Sequence, residues 1–386
     1  MAGQRAYLDY NASAPLRESA RAAMVAALDV AGNPSSVHGE GRAARRIVED
    51  ARRFVAAFVG ADAASVVFTS GATEAATMLL TPNWRMGRGA VRASRLYVSA
   101  ADHPCILAGG RFAPSDVEII PVDGDGLIDL DALETRLAAH DRSTGIPLVA
   151  MHAANNETGV VQPVAKIAAA TRAAGGVSVI DAVQAAGRIP LDIAEVSVDF
   201  LILSSHKIGG PKGVGAVVAA SDLMMPAPLV RGGGQERGHR AGTENLPGIA
   251  GFGAAAFAAR EGLAAMPAVA ALRDRIEADL LAQEPAAEIF GREAPRLPNT
   301  TFFSLPGIKA ETAQIAFDLA GVALSAGSAC SSGKVGPSHV LKAMGRGEAT
   351  GALRVSIGEA TTDEEIALFS RALAGLLARR DRTKAA

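Results

Sequence analysis

Leu201-Ile-Leu-Ser-Ser-His-Lys207-Ile-Gly-Gly-Pro-Lys-Gly-Val-Gly215 sets an unbroken apolar run against a polar end and a glycine-rich turn. An apolar run without alternation is the pattern of a strand buried on both faces. The run itself, Phe200 to Ser204, is one of several. Others are Ser65 to Thr69, Leu96 to Ser99, Val117 to Val122, Pro147 to His152, Val177 to Asp181 and Gly213 to Ala219. Alanine-rich helical stretches lie between them, for example Asp129 to Ala139 and Pro163 to Ala174. Strand, helix, strand at this spacing calls for right-handed crossovers and a mostly parallel sheet with helices on both faces. Ligands of such sheets sit beyond the carboxyl ends of the strands, so polar residues just after each run are the first candidates.

After residue 245 the pattern changes. Two long helical stretches, Leu246 to Leu263 and Ala268 to Gln283, precede Pro- and charge-rich sequence. Then come a strand-like Asn299 to Leu305, a helix from Ala310 to Leu319, a loop centred on Cys330, a strand Leu353 to Ile357 and an amphipathic helix from Asp363 to Leu377. This predicts a smaller α+β domain. We divide the chain into a large domain, residues 15–250, and a small one made of 1–14 plus 251–386. The length, 386 residues, fits that division, because a single core rarely grows so large. With 49% apolar but only 4% aromatic residues, Ala, Val, Leu and Ile must fill the cores. A net charge of −2 without a long basic stretch argues against nucleic acid or membrane as partner. Two cysteines, Cys105 and Cys330, make no disulfide framework, and no C-x-x-C pair offers a metal site. The N-terminus has no apolar h-region and the chain no run of about 18 apolar residues. We therefore expect a soluble, cytoplasmic α/β protein.

The quoted strand delivers Ser204, His206 and Lys207 to its carboxyl end. A lysine there can form a Schiff base with an aldehyde cofactor, while Ser and His donate to a phosphate; the alternative is a solvated loop lysine. Gly210, Gly213 and Gly215 lack the spacing of a nucleotide fingerprint and read as a turn between strands. Val177-Ser-Val-Ile-Asp181-Ala-Val-Gln184 places a carboxylate at a strand end and an amide three residues later, where both can face one ligand. A buried Asp there can keep a pyridinium nitrogen protonated, or it can cap a helix. Phe68-Thr-Ser-Gly71-Ala72-Thr73-Glu74 runs a strand into a turn that opens a helix, which suits a phosphate or is an ordinary capping box. Asp102-His103-Pro104 and Asn155-Asn156-Glu157 follow two further strands at the same sheet edge; alone they read as a structural histidine and a turn. Cys330, in Ser325-Ala-Gly-Ser-Ala-Cys-Ser-Ser-Gly333, sits in a segment too polar for core, where a thiol can serve as nucleophile. Cys105, beside Ile106 and Leu107, reads as a packing residue. Arg354 interrupts an apolar strand and needs an anion, either a substrate carboxylate or a structural Asp or Glu.

Taken together these segments resemble the cysteine desulfurases, pyridoxal-phosphate enzymes of the class V aminotransferase family. The likeness spans nearly the whole chain. It begins with Leu8-Asp-Tyr-Asn-Ala-Ser-Ala-Pro15 and Gly32-Asn-Pro-Ser-Ser-Val-His38 and continues through Thr69 to Glu74, Met151 to Gly159, Asp181 to Gln184 and Ser204 to Gly215. It ends with Gly232-Gly-Gly-Gln-Glu-Arg-Gly-His-Arg-Ala-Gly-Thr-Glu-Asn245, Gly327-Ser-Ala-Cys-Ser-Ser332 and Leu353 to Gly358. The context of Cys330 is similar to the group with a longer catalytic loop, which includes the nitrogen-fixation and housekeeping desulfurases.

The resemblance implies the fold type I of pyridoxal-phosphate transferases: a mostly parallel seven-stranded sheet flanked by helices, with a smaller α+β domain. It implies L-cysteine as substrate, pyridoxal 5'-phosphate as cofactor and a homodimer with shared active sites. A sulfur-acceptor protein is the implied partner, whether an iron–sulfur scaffold, a tRNA-thiolating enzyme or a dedicated carrier. By the same resemblance Lys207 carries the cofactor and moves protons, and Asp181 pairs with the ring nitrogen. Gln184 bonds the phenolic oxygen and His103 stacks on the ring as a further catalytic residue. Ala72, Thr73, Ser204 and His206 hold the phosphate, with Thr243 supplied by the second subunit. Arg354 and Asn156 bind the substrate carboxylate, and Cys330 takes the sulfur as a persulfide, leaving L-alanine.

There are departures. Asn11-Ala-Ser-Ala14 stands for the usual Asn-Ala-Thr-Thr, and Asp102 stands where a Glu commonly precedes the stacking histidine. The sequence after Arg354 is also shorter than in housekeeping members that serve a scaffold. Within the family the alternatives are selenocysteine lyase or another lyase or aminotransferase reaction, the last of which needs no thiol. An inactive member serving as a binding subunit would be marked by loss of Lys207, Asp181 or Cys330, and all three are present.

Overall fold

The structure, a computed structural model, describes residues 5–327, 338–347 and 352–385. The chain opens with strand β1 (Ala6–Tyr7) and helices α1 (Glu18–Leu28) and α2 (Gly39–Phe58). There follow β2 (Val66–Thr69), α3 (Ala72–Leu79), β3 (Asn83–Met86), β4 (Gly89–Ser99), α4 (Pro104–Leu107), β5 (Val117–Ile120) and α5 (Leu130–Ala138). Next come β6 (Ile146–His152), α6 (Val164–Ala173), β7 (Val177–Asp181), β8 (Phe200–Ser204), β9 (Gly215–Ala219) and β10 (Met224–Pro226).

Seven of these strands lie in the order β5-β4-β6-β7-β8-β9-β2, with β4 to β8 parallel and β9 antiparallel to both its neighbours. The first half of β4 folds back on β3, and β3 pairs with β10, so the sheet has nine strands among the described residues. That extension carries no continuous apolar run (Asn83-Trp-Arg-Met-Gly-Arg-Gly-Ala90), so a pattern tuned to doubly buried strands passes over it. The runs that were legible are apolar because helices cover both faces. Along β8, Leu201 and Leu203 pack with α1, α2 and the long helix α7 (Leu246–Gly262), while Phe200 and Ile202 pack with α3 on the other side. The helices themselves come very close. A Cβ on Gly253 of α7 would lie 2.6 Å from the Ala51 Cα of α2, so only glycine fits there.

The remaining elements are α8 (Met266–Gln283), β11 (Glu288–Ile289), β12 (Thr300–Ser304), α9 (Ala310–Leu319), β13 (Val322–Ala323), β14 (Ser325–Ala326), α10 (His339–Ala343), β15 (Ala352–Ser356) and α11 (Asp363–Ala385). They build an antiparallel sheet, β11-β12-β15-β14, over a separate apolar cluster that includes Phe303, Phe317 and Phe369. The N-terminal strand joins this second unit: β1 pairs with β13, and Ala6 and Leu8 enter its cluster. The boundary placed at residue 250 falls inside α7, which packs with the first cluster as far as Ala259. Residues 9–13 then run between the two clusters, where the strand ends of the large sheet converge.

Candidate active site

Strands β4, β6, β7 and β8 all end on one edge, and the residues that follow them wall a cavity of 530 Å³. Its lining brings together Ala72, Thr73, His103, Asn156, Asp181, Gln184, Ser204, His206 and Lys207. They come from positions more than a hundred residues apart, which a parallel sheet collects because every crossover returns the chain to the same edge. The turn before α3 is pressed against the start of β9, where a Cβ on Gly215 would lie 2.7 Å from the Gly71 backbone. This leaves the first turn of α3 facing the cavity. Glu74 accepts the Ser70 N–H at 2.8 Å, so that turn is also capped, and its carboxyl is held below the usual range by Arg240 and Ser70 against its burial.

Lys207 follows β8 in a single helical turn. Its Nζ donates to the carbonyls of Asn11 at 2.5 Å and Ala12 at 2.9 Å, which aims the amine at the floor of the cavity. Asp181 is buried at the end of β7, and burial pushes its carboxyl up to about 6. Its Oδ1 accepts the Val183 N–H, so the cap geometry and the cavity position coexist. Gln184 Nε2 donates to the Asn11 carbonyl at 3.1 Å, while its Oε1 is buried without a hydrogen-bond partner. His206 Nδ1 lies 3.2 Å from Ser13 Oγ, and burial with nearby Lys207 and Lys212 brings the ring down to about 4.

His103 is likewise brought down to about 4, chiefly by burial, then by the charges of Lys207 and His339. Its Nδ1 accepts the Cys105 N–H at 3.2 Å, so the neutral ring carries its proton on Nε2. Because the ring titrates near 6.5 when unfolded, the folded protein binds fewer protons between pH 6.5 and 4, and stability present above 6.5 is lost on acidification. We expect the wild type to lose more stability over this window than His103→Gln, by about 2–3 kcal/mol at its lower end. Denaturant unfolding of the cofactor-free proteins at several pH values measures the difference; parallel curves would refute it.

Arg354 and Thr243 stand apart. Arg354 is buried on β15, where Nη2 meets Asp9 Oδ1 at 2.7 Å and Nη1 donates to the Asn156 carbonyl at 2.8 Å. It has a structural carboxylate partner and is tied to the cavity wall through the Asn156 carbonyl. Its Nε is buried without a partner. Thr243 lines a neighbouring recess of 230 Å³ that shares Ser70, Gly213 and Val214 with the main cavity. Cys330 lies outside the described residues.

Several lining or supporting residues escaped the sequence. Asn11 is 1% exposed; its carbonyl accepts from both Lys207 and Gln184, and its side chain ties to Thr300 and Asn299. Cys105 is not wholly buried in core: it lines the cavity with its Sγ 3.0 Å from His103 Nδ1, while Ile106 takes the core position. Lys212 and His152 also line the wall. The only available signal was proximity to a strand end or to the Leu8–Pro15 motif.

The residues present fit pyridoxal phosphate. The cavity is of cofactor size, a buried carboxylate awaits a cationic ring nitrogen, and an unpartnered buried amide oxygen awaits a polar group. A lysine able to take an aldehyde and a helix N-terminus able to take a phosphate both line it.

The model of the aminotransferase class-V family matches residues 6–369. A protein named cysteine desulfurase from Cereibacter sphaeroides is 42% identical over 375 residues, covering 94% of this chain and 93% of that protein. One of the same name from Frankia sp. is 42% identical over 392 residues, covering 97% and 90%. Among solved structures, a NifS-like protein from Rickettsia africae superposes with a TM-score of 0.87 at 32% identity, covering 97% of this chain and 100% of that one. The fold, the cavity and these likenesses agree, and the chain belongs to the class-V aminotransferase family.

Proposed function

We propose that the protein is a pyridoxal-phosphate-dependent cysteine desulfurase, which converts L-cysteine to L-alanine and leaves the sulfur as a persulfide on Cys330. The observation that carries this is the meeting of Lys207, Asp181, Gln184 and His103 in one cavity of a chain 42% identical to a protein of that name. When bound, pyridoxal phosphate supplies the electron sink that weakens the C–S bond of the amino acid. Lys207 Nζ holds the cofactor and relays a proton between it and the substrate. Asp181 balances the positive ring nitrogen, and this pairing offsets the burial that raises its own proton affinity. Gln184 Nε2, one N–H of which bonds the Asn11 carbonyl, donates its other N–H to the phenolic oxygen. The first turn of α3, with Thr73, Ser204 and His206, holds the phosphate. His103, neutral with its proton on Nε2, stacks on the ring and can hand a proton to the substrate side.

Arg354 and Asn156 take the substrate carboxylate, which then shares the guanidinium with Asp9. The Cys330 thiolate attacks the substrate sulfur, the new S–S bond forms as the substrate's C–S bond breaks, and the thiol proton is delivered to the carbon that becomes the alanine methyl. Thr243 lines the neighbouring recess of its own chain, and we assign it to the phosphate of the second subunit of a homodimer. We assign the enzyme to the cytoplasm and its sulfur to an acceptor protein.

The test is turnover of L-cysteine with alanine quantified and persulfide mapped by mass spectrometry. We expect equal amounts of alanine and released sulfur, with persulfide on Cys330 rather than Cys105. Alanine formed without persulfide on Cys330 would overturn the assignment. Capture of proteins that acquire the label from pre-loaded enzyme identifies the acceptor.

A further inference from the structure

Asp102 precedes the stacking histidine, and its side chain is wholly buried. Oδ2 accepts the Ser99 N–H at 2.7 Å; Oδ1 accepts the His152 N–H at 2.8 Å and faces His152 Nδ1 at 2.5 Å. On the far side of that ring, Nε2 lies 3.2 Å from Gln162 Nε2. The orientation of Gln162 is fixed by its other contacts. Oε1 accepts the Ile128 N–H at 2.9 Å, and Nε2 donates to the Gly126 carbonyl at 2.8 Å. A donor is therefore turned toward His152 Nε2, which must present a lone pair. The ring is neutral, with its proton on Nδ1 and aimed at Asp102. No imidazolium cancels the carboxylate.

The location matters as much as the charge. His152 is the register partner of Asp181 on the adjacent strand, and the Ala153 N–H donates to the Asp181 carbonyl at 2.8 Å. Asp102 thus joins the turn that carries His103 to the strand end that carries Asp181. Resting on the reading of the cavity as a pyridoxal-phosphate site, we propose that Asp102, locked by His152 and Gln162, is a positioning residue that holds His103 and Asp181 in place and adds a second buried negative charge favouring a proton on the Lys207 nitrogen. The groups that face it are His152 from β6, His103 from its own turn, His339 from α10 (Nε2 2.9 Å from the Asp102 carbonyl) and Asp181 from β7; His103 and Asp181 in turn feel the charge of Lys207, whose neighbour is His206. Burial raises Asp181, and the Asp102 charge adds to that push, as expected of two carboxylates close enough to interact.

The experiment is a pH titration of the visible absorbance of the cofactor-loaded protein. Removal of the charge in Asp102→Asn lowers the midpoint by about one pH unit, while Asp102→Glu, which keeps the charge, titrates with the wild type. A contact that merely held the fold would not move the midpoint and then restore it with charge. Equal midpoints for wild type and Asp102→Asn would overturn the proposal, as would failure of Asp102→Glu to restore it. If Asp102→Asn does not fold, nitrogen-15 spectra of histidine-labelled wild type decide: His152 carries its proton on Nδ1 and a lone pair on Nε2. A His152 ring with its proton on Nε2 refutes the lock. A wild type that takes up no pyridoxal phosphate sinks the reading of the cavity itself, whereas a loaded wild type with an unmoved variant sinks only the role of Asp102.

Discussion

Lys207→Ala lowers the turnover of cysteine by at least about 10³-fold and removes the visible absorbance of the cofactor-loaded protein. The size of the effect follows from what one amine is asked to do. It is the covalent attachment and the proton carrier, and each function separately is worth orders of magnitude. The geometry makes replacement by a neighbour ineffective. Lys207 Nζ is pinned by two carbonyls of the segment that crosses between the two apolar clusters. Lys212 also lines the cavity, but it follows the glycine turn and neighbours His206, at the end assigned to the phosphate. Lys207→Arg separates charge from nucleophilicity: it retains the cation and is expected to be as inactive as the alanine variant. Turnover, absorbance and cofactor stoichiometry after gel filtration measure all three. Retained absorbance in Lys207→Ala, lost in Lys212→Ala, would move the attachment to Lys212.

The parts of this site that were legible in the sequence are those fixed by local pattern. Asp181, Ser204 and Lys207 follow apolar runs, and a parallel sheet sends the ends of such runs to one edge whatever their separation. What local pattern does not encode is which distant side chains close around that edge. Arg354 reads as a cation in need of an anion, yet whether Asp9 satisfies it is decided by a contact across 345 positions. Asn11 looks like one polar residue in a turn until the small unit folds its segment over Lys207 and Gln184. Cys105 has apolar neighbours, but one short helical turn sends Ile106 inward and Cys105 toward the cavity. Asp102 carries no periodicity at all; its importance comes from Gln162, whose orientation is set by the backbone of a different loop.

The second large effect concerns the loop that carries Thr243. Its anchor is Glu236, only 6% exposed, in a segment where Glu236 and Arg237 both take left-handed backbone angles (φ 46° and 55°). Such angles cost energy in residues with side chains, so something must hold them. Arg52 of α2 supplies the hold. It meets both oxygens of Glu236 at 2.7 and 2.9 Å, donates to the Val66 carbonyl at 2.8 Å and lies 4.9 Å from the centre of the Phe68 ring. Glu236 also accepts the Phe68 N–H at 2.8 Å, so one carboxylate fixes the loop, α2 and β2 together. Removing it takes the paired carboxylate from a buried guanidinium and the acceptor from the buried Phe68 N–H. Glu49 at 3.3 Å and the Val66 carbonyl at 2.8 Å compensate in part. We expect Glu236→Ala to cost about 3–5 kcal/mol, enough to lower the melting temperature by about 5–10 °C. Glu236→Gln keeps an acceptor for Phe68 and is expected to fall between. Since the same loop bears Thr243, cofactor affinity should drop with stability, which equilibrium dialysis of the folded variant measures. A melting temperature for Glu236→Ala equal to that of the wild type would show that the left-handed turn is held by other contacts and that Arg52 tolerates solitary burial.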